Sequence, residues 1–163
     1  MISVADFQKI MDQFSDSPAT VDKAIFKIEK ENEVLMDILL GTHAEFLSDD
    51  EMDFLVLCFL SFYMAYTKEY QIKTFEENEI SDVEESTWGR LNQLKNVDKA
   101  LDLYYDELEE KDSIEFVGLL VMEIEDEEAK EMVLSDVAKQ IFVTVLISSC
   151  ILLSSSPKLD LKK

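Results

Sequence analysis

Glycine and proline are scarce in this chain, which has three glycines and two prolines among 163 residues. β-Sandwiches and barrels need many tight turns, and these two residues are the usual means of forming them. Apolar residues make up 47% of the chain, enough to form a core. A domain of this length buries roughly 70% of its unfolded surface, so neither a metal nor a disulfide is needed to stabilise it. We therefore predict a single all-α domain over residues 1–156, a bundle of six or seven helices, followed by a mobile tail over 157–163.

The spacing of apolar residues and the positions of capping residues predict where these helices lie. Residues that favour helix N-termini precede several apolar stretches, namely Ser3, Ser17 with Pro18, Ser48 with Glu51, and Ser81 with Glu84. The predicted helices cover about 4–14, 18–41, 48–66, 81–96, 97–110 and 114–124, with a last helix between the acidic run 123–128 and about 153. Whether the chain pauses at Asn96 decides between six and seven helices. The polar stretch 74–82 is predicted to be the longest loop, and Gly118 is expected to permit a close helix contact.

Two segments, residues 52–66 and 137–153, are apolar almost all round, which is typical of helices enclosed by other helices. The first is too short to cross a bilayer, which needs about 20 apolar residues. The isoleucine, valine and threonine content of the second would also suit a buried strand, but no second strand-like segment exists to pair with it. We predict that both are inner helices and that the acidic segment 76–136 covers them from outside.

The formal net charge of the chain is −21, and most of it is concentrated in one segment. Residues 76–136 contain 21 acidic and five basic residues, a net charge of −16. Affinity for nucleic-acid phosphates and for anionic lipids depends on lysine and arginine, so we expect neither direct nucleic-acid binding nor membrane binding. Arg90 is the only arginine, which counts against an enzyme that acts on anionic substrates.

The sequence contains no catalytic, cofactor-binding or metal-binding motif. His43 is the only histidine, which excludes histidine-rich zinc sites and di-iron sites within one chain, and we expect it at a helix end or on the surface. The three glycines are isolated from one another and form no phosphate-binding loop. The acidic run 123–128 is interpreted as a solvated helix start. We therefore predict no catalytic, cofactor or metal residues and do not expect an enzyme.

Cysteine usage and the N-terminus bear on the compartment. Cys58 and Cys150 each lie in an apolar run, where a reduced thiol packed as a small hydrophobic side chain is the expected state, although pairing stays open. The first residues lack the basic start and the continuous apolar stretch of a signal peptide, which predicts a cytoplasmic location.

The most informative candidate site is an acidic helix face. Its predicted partner-binding residues are Asp98, Asp102, Tyr105, Asp106, Glu109, Glu110 and Asp112, joined by Glu123, Asp126 and Glu127. Two interpretations stay open: a surface that only keeps the protein soluble, or a docking surface for a basic protein. Of Tyr104 and Tyr105, one should face the core while the other contacts a partner. Trp88 is a further candidate, which either closes the core or is exposed beside Arg90.

The expected function is that of a cytoplasmic acidic protein–protein interaction module without a cofactor, which masks a basic nuclease, toxin or nucleic-acid-binding surface as an immunity protein or inhibitor does. A homodimer stays open, through a less acidic surface. Two alternatives remain. One is a carrier of a small apolar ligand in a cavity lined by Phe59, Phe62, Met64, Phe142 and Leu146. The other is an all-helical enzyme of unknown reaction.

Overall fold

The computed structural model describes residues 2–123 and 134–159, without the side chains of 122 and 123. These residues form seven α helices and one 3-10 turn, and no β strand occurs within these ranges. The predicted all-α bundle is therefore confirmed. The helices are α1 (Val4–Asp16), α2 (Pro18–Gly41), α3 (Asp49–Tyr66), α4 (Glu77–Leu94), α5 (Val97–Glu107), α6 (Lys111–Glu123) and α7 (Asp136–Ser154), with the 3-10 turn Ala44–Phe46 between α2 and α3.

Ser3 and Ser48 cap the first and third helices as predicted, and both form capping boxes, of which only the second was predicted. At α1, the Ser3 hydroxyl accepts the Asp6 amide at 3.2 Å while the Asp6 carboxylate accepts the Ser3 amide at 2.9 Å. This backbone hydrogen bond holds the pKa of Asp6 below its usual range. At α3, Ser48 and Glu51 form the same reciprocal pair, at 3.1 and 2.9 Å. Each box satisfies two backbone groups that have no partner within the helix.

The two apolar helices are the inner ones, as predicted. α3 and α7 pack against each other, and α7 also packs against α2, α4, α5 and α6. Almost every residue of α7 from Ile141 to Leu153 is buried. Within the described ranges, α7 alone is long and apolar enough to cross a membrane by length and composition, and 72% of that stretch is buried inside the bundle. Burial of this extent is what the core helix of a bundle requires.

The predicted loop over 74–82 is wrong from Glu77 onward, because α4 begins there rather than near Ser81. A different pair of residues forms the start: the Glu79 carboxylate accepts the Glu76 amide at 3.2 Å. Ile80 then begins the buried face of the helix. The sequence interpretation considered only a serine cap and therefore placed the start about one turn too late.

The chain leaves the helical conformation between α4 and α5. The described residues therefore form seven α helices, the larger of the two predicted numbers. Lys95 adopts a left-handed conformation with φ 54°, the only positive φ among the described residues. Asn96 then caps α5 by accepting the Lys99 amide at 2.9 Å. A left-handed residue ends a helix because it turns the chain away from the helix axis.

The second helix is kinked at Asn32, which no sequence pattern indicated. Its backbone leaves the helical region there, with φ −152° and ψ 53°. The buried side-chain amide donates to the Lys73 carbonyl at 3.0 Å and to the Tyr63 hydroxyl at 3.1 Å, and its oxygen accepts the Phe75 amide at 2.9 Å. One side chain thus joins α2, α3 and the segment before α4.

The C-terminal segment after α7 pairs with the segment after α3. Gln71 donates its amide to the Pro157 carbonyl at 2.7 Å, and Leu159 donates to the Glu69 carbonyl at 2.9 Å. Residues 157–159 of the predicted mobile tail therefore have backbone partners, while 160–163 lie outside the described residues. The predicted helix break in the acidic run also lies mostly outside them, since 124–133 are not described. In the described part, α7 begins after its cap Ser135.

Candidate functional site

Helix α5 and the turn after it present exposed carboxylates and an exposed tyrosine. Asp98, Asp102 and Tyr105 follow one another at helical spacing on one side of α5, and Asp106 lies one turn after Asp102. Glu109 is exposed in the turn that follows the helix. Tyr105 is 43% exposed, whereas Tyr104 is 4% exposed and faces the core. The prediction that one of the two tyrosines faces inward and the other outward is confirmed.

An open groove of about 480 Å³ runs between α5 and α6 beside this tyrosine. Seven residues line it: Asp98, Leu101, Asp102 and Tyr105 from α5, and Ile114, Glu115 and Gly118 from α6. Leu101, Ile114 and the bare backbone of Gly118 make part of its surface apolar, while three carboxylates supply negative charge. None of its lining residues is basic.

Gly118 contributes to the groove by having no side chain. A Cβ atom at this position would lie 3.8 Å from the Leu101 Cδ1 atom, which is an ordinary van der Waals distance. Alanine would therefore fit without displacing α5. The close helix contact expected at Gly118 does not depend on glycine, and what the glycine does is to leave the space beside Leu101 unfilled.

The predicted outward position of Glu110 is corrected by the structure. Glu110 is only 5% exposed, accepts the Tyr70 hydroxyl at 2.6 Å and accepts the Ile2 amide at 3.2 Å. The sequence interpretation extended the helix to about residue 110, but α5 ends at Glu107. The chain turns before Glu110, and the helical spacing that placed it beside Asp106 no longer applies.

The other predicted face residues divide into two groups. Asp112 is half-buried in the first turn of α6. Asp126 and Glu127, together with the side chain of Glu123, lie outside the described residues. The face that the structure brings together is therefore smaller than the predicted one, and we define the α5 face as Asp98, Asp102, Tyr105, Asp106 and Glu109.

A lysine of the chain already occupies one edge of this face. The Lys111 Nζ atom donates to the Tyr105 carbonyl at 2.5 Å and to the Leu108 carbonyl at 3.3 Å, and it lies 5.0 Å from the centre of the Tyr105 ring. An ammonium group is favourable there because the last carbonyls of a helix carry partial negative charge. The same position provides the negative face of an aromatic ring.

The single arginine has a structural partner. Arg90 of α4 donates to the Glu107 carboxylate at 2.5 Å and lies 5.0 Å from the centre of the Tyr104 ring. The hydrogen bond to Glu107 raises the pKa of Arg90 above its usual range. This pair joins α4 to α5, so the Glu107 carboxylate already has a basic partner within the chain.

Trp88 and His43 belong to the contact between α4 and the end of α2. The two rings stack with centroids 4.5 Å apart, and the His43 Nε2 atom lies 2.5 Å from the Glu84 Oε1 atom. Trp88 is half-buried and packs on the core, which supports the interpretation that it closes the core. His43 follows a helix end as expected but is buried rather than on the surface.

Charge alone does not distinguish the α5 face from the rest of the surface. Exposed carboxylates also occur on the outer side of α2 and at the start of α3. On α2 they alternate with Lys23, Lys27 and Lys30, and Lys27 pairs with Glu31 at 2.9 Å. The features particular to α5 are the exposed Tyr105 and the groove beside it.

A larger groove of about 600 Å³ lies where the end of α4, the start of α5 and the start of α7 meet. Val121 and Asp136 line it, and these residues lie near the two ends of the undescribed segment 124–133. Nothing in the structure shows what covers this groove.

The residues proposed to line a ligand cavity are mostly packed against other side chains. Phe62 stacks on Phe7 with centroids 4.6 Å apart, and Phe142 stacks on Phe54 at 5.9 Å. Neither of the two grooves is lined by them. The buried hydroxyls of Thr144 and Ser148, which have no hydrogen-bond partner, line neither groove either. Neither groove therefore corresponds to the cavity of the carrier alternative.

The described residues contain neither a metal-binding cluster nor a reactive thiol. Within residues 2–123 and 134–159, no group of three or more histidine, cysteine, aspartate or glutamate side chains is placed to hold a metal ion. Cys58 and Cys150 are free and buried, and burial raises the pKa of the Cys150 thiol to about 12. Both are therefore protonated thiols at neutral pH.

Comparison of the chain with models of protein families, with curated proteins and with solved structures gives no significant match. The site must therefore be interpreted from its own geometry. Sequence reasoning found the carboxylates and Tyr105 but missed the groove, of which Leu101, Ile114 and Gly118 form part. The sequence signal that could have indicated the groove is the apolar Leu101 between Asp98 and Asp102, together with Gly118 on the following helix.

Proposed function

We propose that this chain is an acidic protein-interaction module that binds a basic protein partner through the α5 face. The observation that carries the proposal is the exposed Tyr105, with the exposed carboxylates of Asp98, Asp102 and Asp106 on the same helix and of Glu109 in the turn after it. Tyrosine is enriched at the energetic centres of interfaces because its ring buries a large area while its hydroxyl can still form a hydrogen bond.

The charge of the α5 face would act mainly on the association rate and on the choice of partner. Complementary charges raise the association rate and exclude partners of the wrong sign, whereas the buried centre of an interface supplies much of the affinity. The net charge of −21 adds a long-range field of the same sign. A module of this kind would mask a basic surface on its partner, as an inhibitor does.

A capture experiment with two charge-matched variants tests the proposal. The first variant neutralises the α5 face with Asp98→Asn, Asp102→Asn, Asp106→Asn and Glu109→Gln. The control neutralises four exposed carboxylates of α2 with Asp22→Asn, Glu29→Gln, Glu33→Gln and Asp37→Asn. Both variants carry the same net charge, so any difference between them reports position rather than total charge.

The wild-type chain and the α2 variant are expected to capture the same basic protein from lysate at low salt, and the α5 variant is expected to lose it. Raising the salt from about 0.1 M to about 1 M shortens the Debye length from about 10 Å to about 3 Å, so the association rate should fall as salt is added. Equal capture by both variants, or a rate that does not respond to salt, contradicts the proposal.

A further inference from the structure

We infer that the groove between α5 and α6 receives a single lysine or arginine side chain of the partner, so that docking depends on one inserted cation as well as on overall charge. This inference rests on the proposed function and specifies how the α5 face would recognise its partner. It names a ligand class for the groove: an aliphatic stem that ends in an ammonium or guanidinium group.

The charges around the groove match such a side chain. Asp98 and Asp102 are one helical turn apart, so their carboxylates are close enough to contact the same cation. Glu115 supplies a third carboxylate from α6. None of the residues that line the groove is basic, and the Lys111 ammonium lies outside the lining, 5.0 Å from the centre of the Tyr105 ring.

The apolar part of the groove matches the rest of the side chain. Lysine and arginine bury their methylene stems against apolar surface while the charged end stays near water or near an opposite charge. The half-buried Leu101 provides that surface, with a small contribution from Ile114, which is 2% exposed, and the Tyr105 ring forms part of the wall. The groove volume of about 480 Å³ lies within the range of about 300–1,000 Å³ that small-ligand sites have.

Lys111 places one cation of the chain beside the same tyrosine. Its ammonium lies 5.0 Å from the centre of the Tyr105 ring and donates to carbonyls at the end of α5. It is not one of the residues that line the groove, so the surface toward Asp98 and Asp102 stays free for a second cation. The Tyr105 ring is therefore already in contact with one lysine head group.

Substitutions at Gly118 change the shape of the groove without changing its charge. A Cβ atom there would lie at an ordinary contact distance from Leu101, so Gly118→Ala should leave most of the groove open. A leucine at the same position would project beyond that atom into the space beside Leu101. Gly118→Leu thus fills the groove while every carboxylate stays in place, and Gly118→Ala is the matched control.

The test is an NMR titration of the ¹⁵N-labelled full chain with capped single residues. The probes are Nα-acetyl-lysine N-methylamide, the corresponding arginine compound and Nα-acetyl-norleucine N-methylamide, whose apolar stem lacks the charge. The lysine and arginine probes should produce saturable shifts at the amides of Leu101, Asp102 and Gly118, in the millimolar range because the groove is open. The Gly118→Ala variant should keep this binding, whereas Gly118→Leu should weaken it at least about tenfold, and the norleucine probe should bind weakly or not at all.

Three results would overturn the inference: equal binding of the norleucine probe, shifts spread over the carboxylates of α2 and α3, or unchanged binding to a well-folded Gly118→Leu chain. If Gly118→Leu does not fold, the double variant Asp98→Asn and Asp102→Asn decides, because it keeps the groove open and should also lose the lysine probe. If wild type and Gly118→Leu capture the basic partner equally, the inference about the groove is refuted, but the proposed function is not. Loss of that partner only in the four-residue α5 variant would leave the proposed function standing.

Discussion

At the scale of single residues, two adjacent glutamates occupy opposite environments. Glu109 is exposed on the α5 face, whereas Glu110 is buried and accepts hydrogen bonds from the Tyr70 hydroxyl and the Ile2 amide. Both lie in the turn between α5 and α6, and they have the same side chain. Their neighbours in space, rather than their chemistry, determine which one can meet a partner and which one stabilises the fold.

Replacing Glu110 with alanine should lower the free energy of unfolding by about 2–4 kcal/mol, because two buried donors lose their acceptor at roughly 1–3 kcal/mol each. Glu109→Ala is the matched control and should change it by about 0.5 kcal/mol or less, as surface substitutions do. Urea unfolding followed by circular dichroism measures both values. Similar values for the two variants would show that the Glu110 hydrogen bonds contribute little.

At the scale of helices, the kink in α2 organises the chain around it. Asn32 interrupts the helix, and its side chain binds the Lys73 carbonyl, the Phe75 amide and the Tyr63 hydroxyl. These hydrogen bonds position the segment that leads into α4. The helix that carries Trp88 and Arg90 therefore depends on a polar residue in the middle of another helix.

The variant Asn32→Ala should lose about 2–4 kcal/mol of stability, since the buried amide of Phe75 and the part-buried carbonyl of Lys73 are left without this partner. Amide hydrogen exchange at Phe75 should become faster as well, because the amide no longer has its acceptor. Asn92→Ala provides the control, because Asn92 is exposed and accepts from the Gln140 side chain at the surface, so its loss should cost about 0.5 kcal/mol or less. Unchanged exchange at Phe75 in the Asn32 variant would contradict the assigned role of the kink.

At the scale of the whole molecule, a charged outer surface encloses a core that holds several neutral tyrosines. Burial raises the pKa of Tyr63 to about 12, and burial also raises the pKa values of Tyr66 and Tyr70. The hydrogen bond to Glu110 raises that of Tyr70 further. The folded state therefore binds these protons more tightly than the unfolded chain does.

The sign of this linkage predicts alkaline unfolding. A raised pKa in the folded state contributes stability that is complete below the unfolded tyrosine pKa of about 10 and declines as pH rises above it. Stability in urea should therefore fall between about pH 10 and about pH 12, and the loss of helix should coincide with tyrosine ionisation at 295 nm. Ionisation of these tyrosines below pH 10 in a chain that keeps its helices would contradict the prediction.

Several levels of the fold follow from local sequence alone. The all-α class, the capped starts of α1 and α3, and the inner positions of α3 and α7 depend on residue spacing within one segment, and the structure confirms them. The start of α4 was misplaced because two glutamates, rather than a serine, supply its first polar contacts. The exposed carboxylates of α5 and the outward position of Tyr105 also follow from helical spacing.

The remaining features depend on residues that are distant in the chain. The Glu110 carboxylate binds the amide of Ile2, which is 108 residues away in the sequence. His43 contacts Glu84 and Asn32 binds the Lys73 carbonyl, and each of these pairs is separated by 41 residues. No local pattern encodes such pairs, because each requires two elements to meet. The sequence by itself determined that this protein is an acidic helical bundle, since periodicity and charge are properties of single segments. Only the tertiary structure decided which carboxylates stay in solvent and that three of them border an open groove, because burial is a property of packed helices.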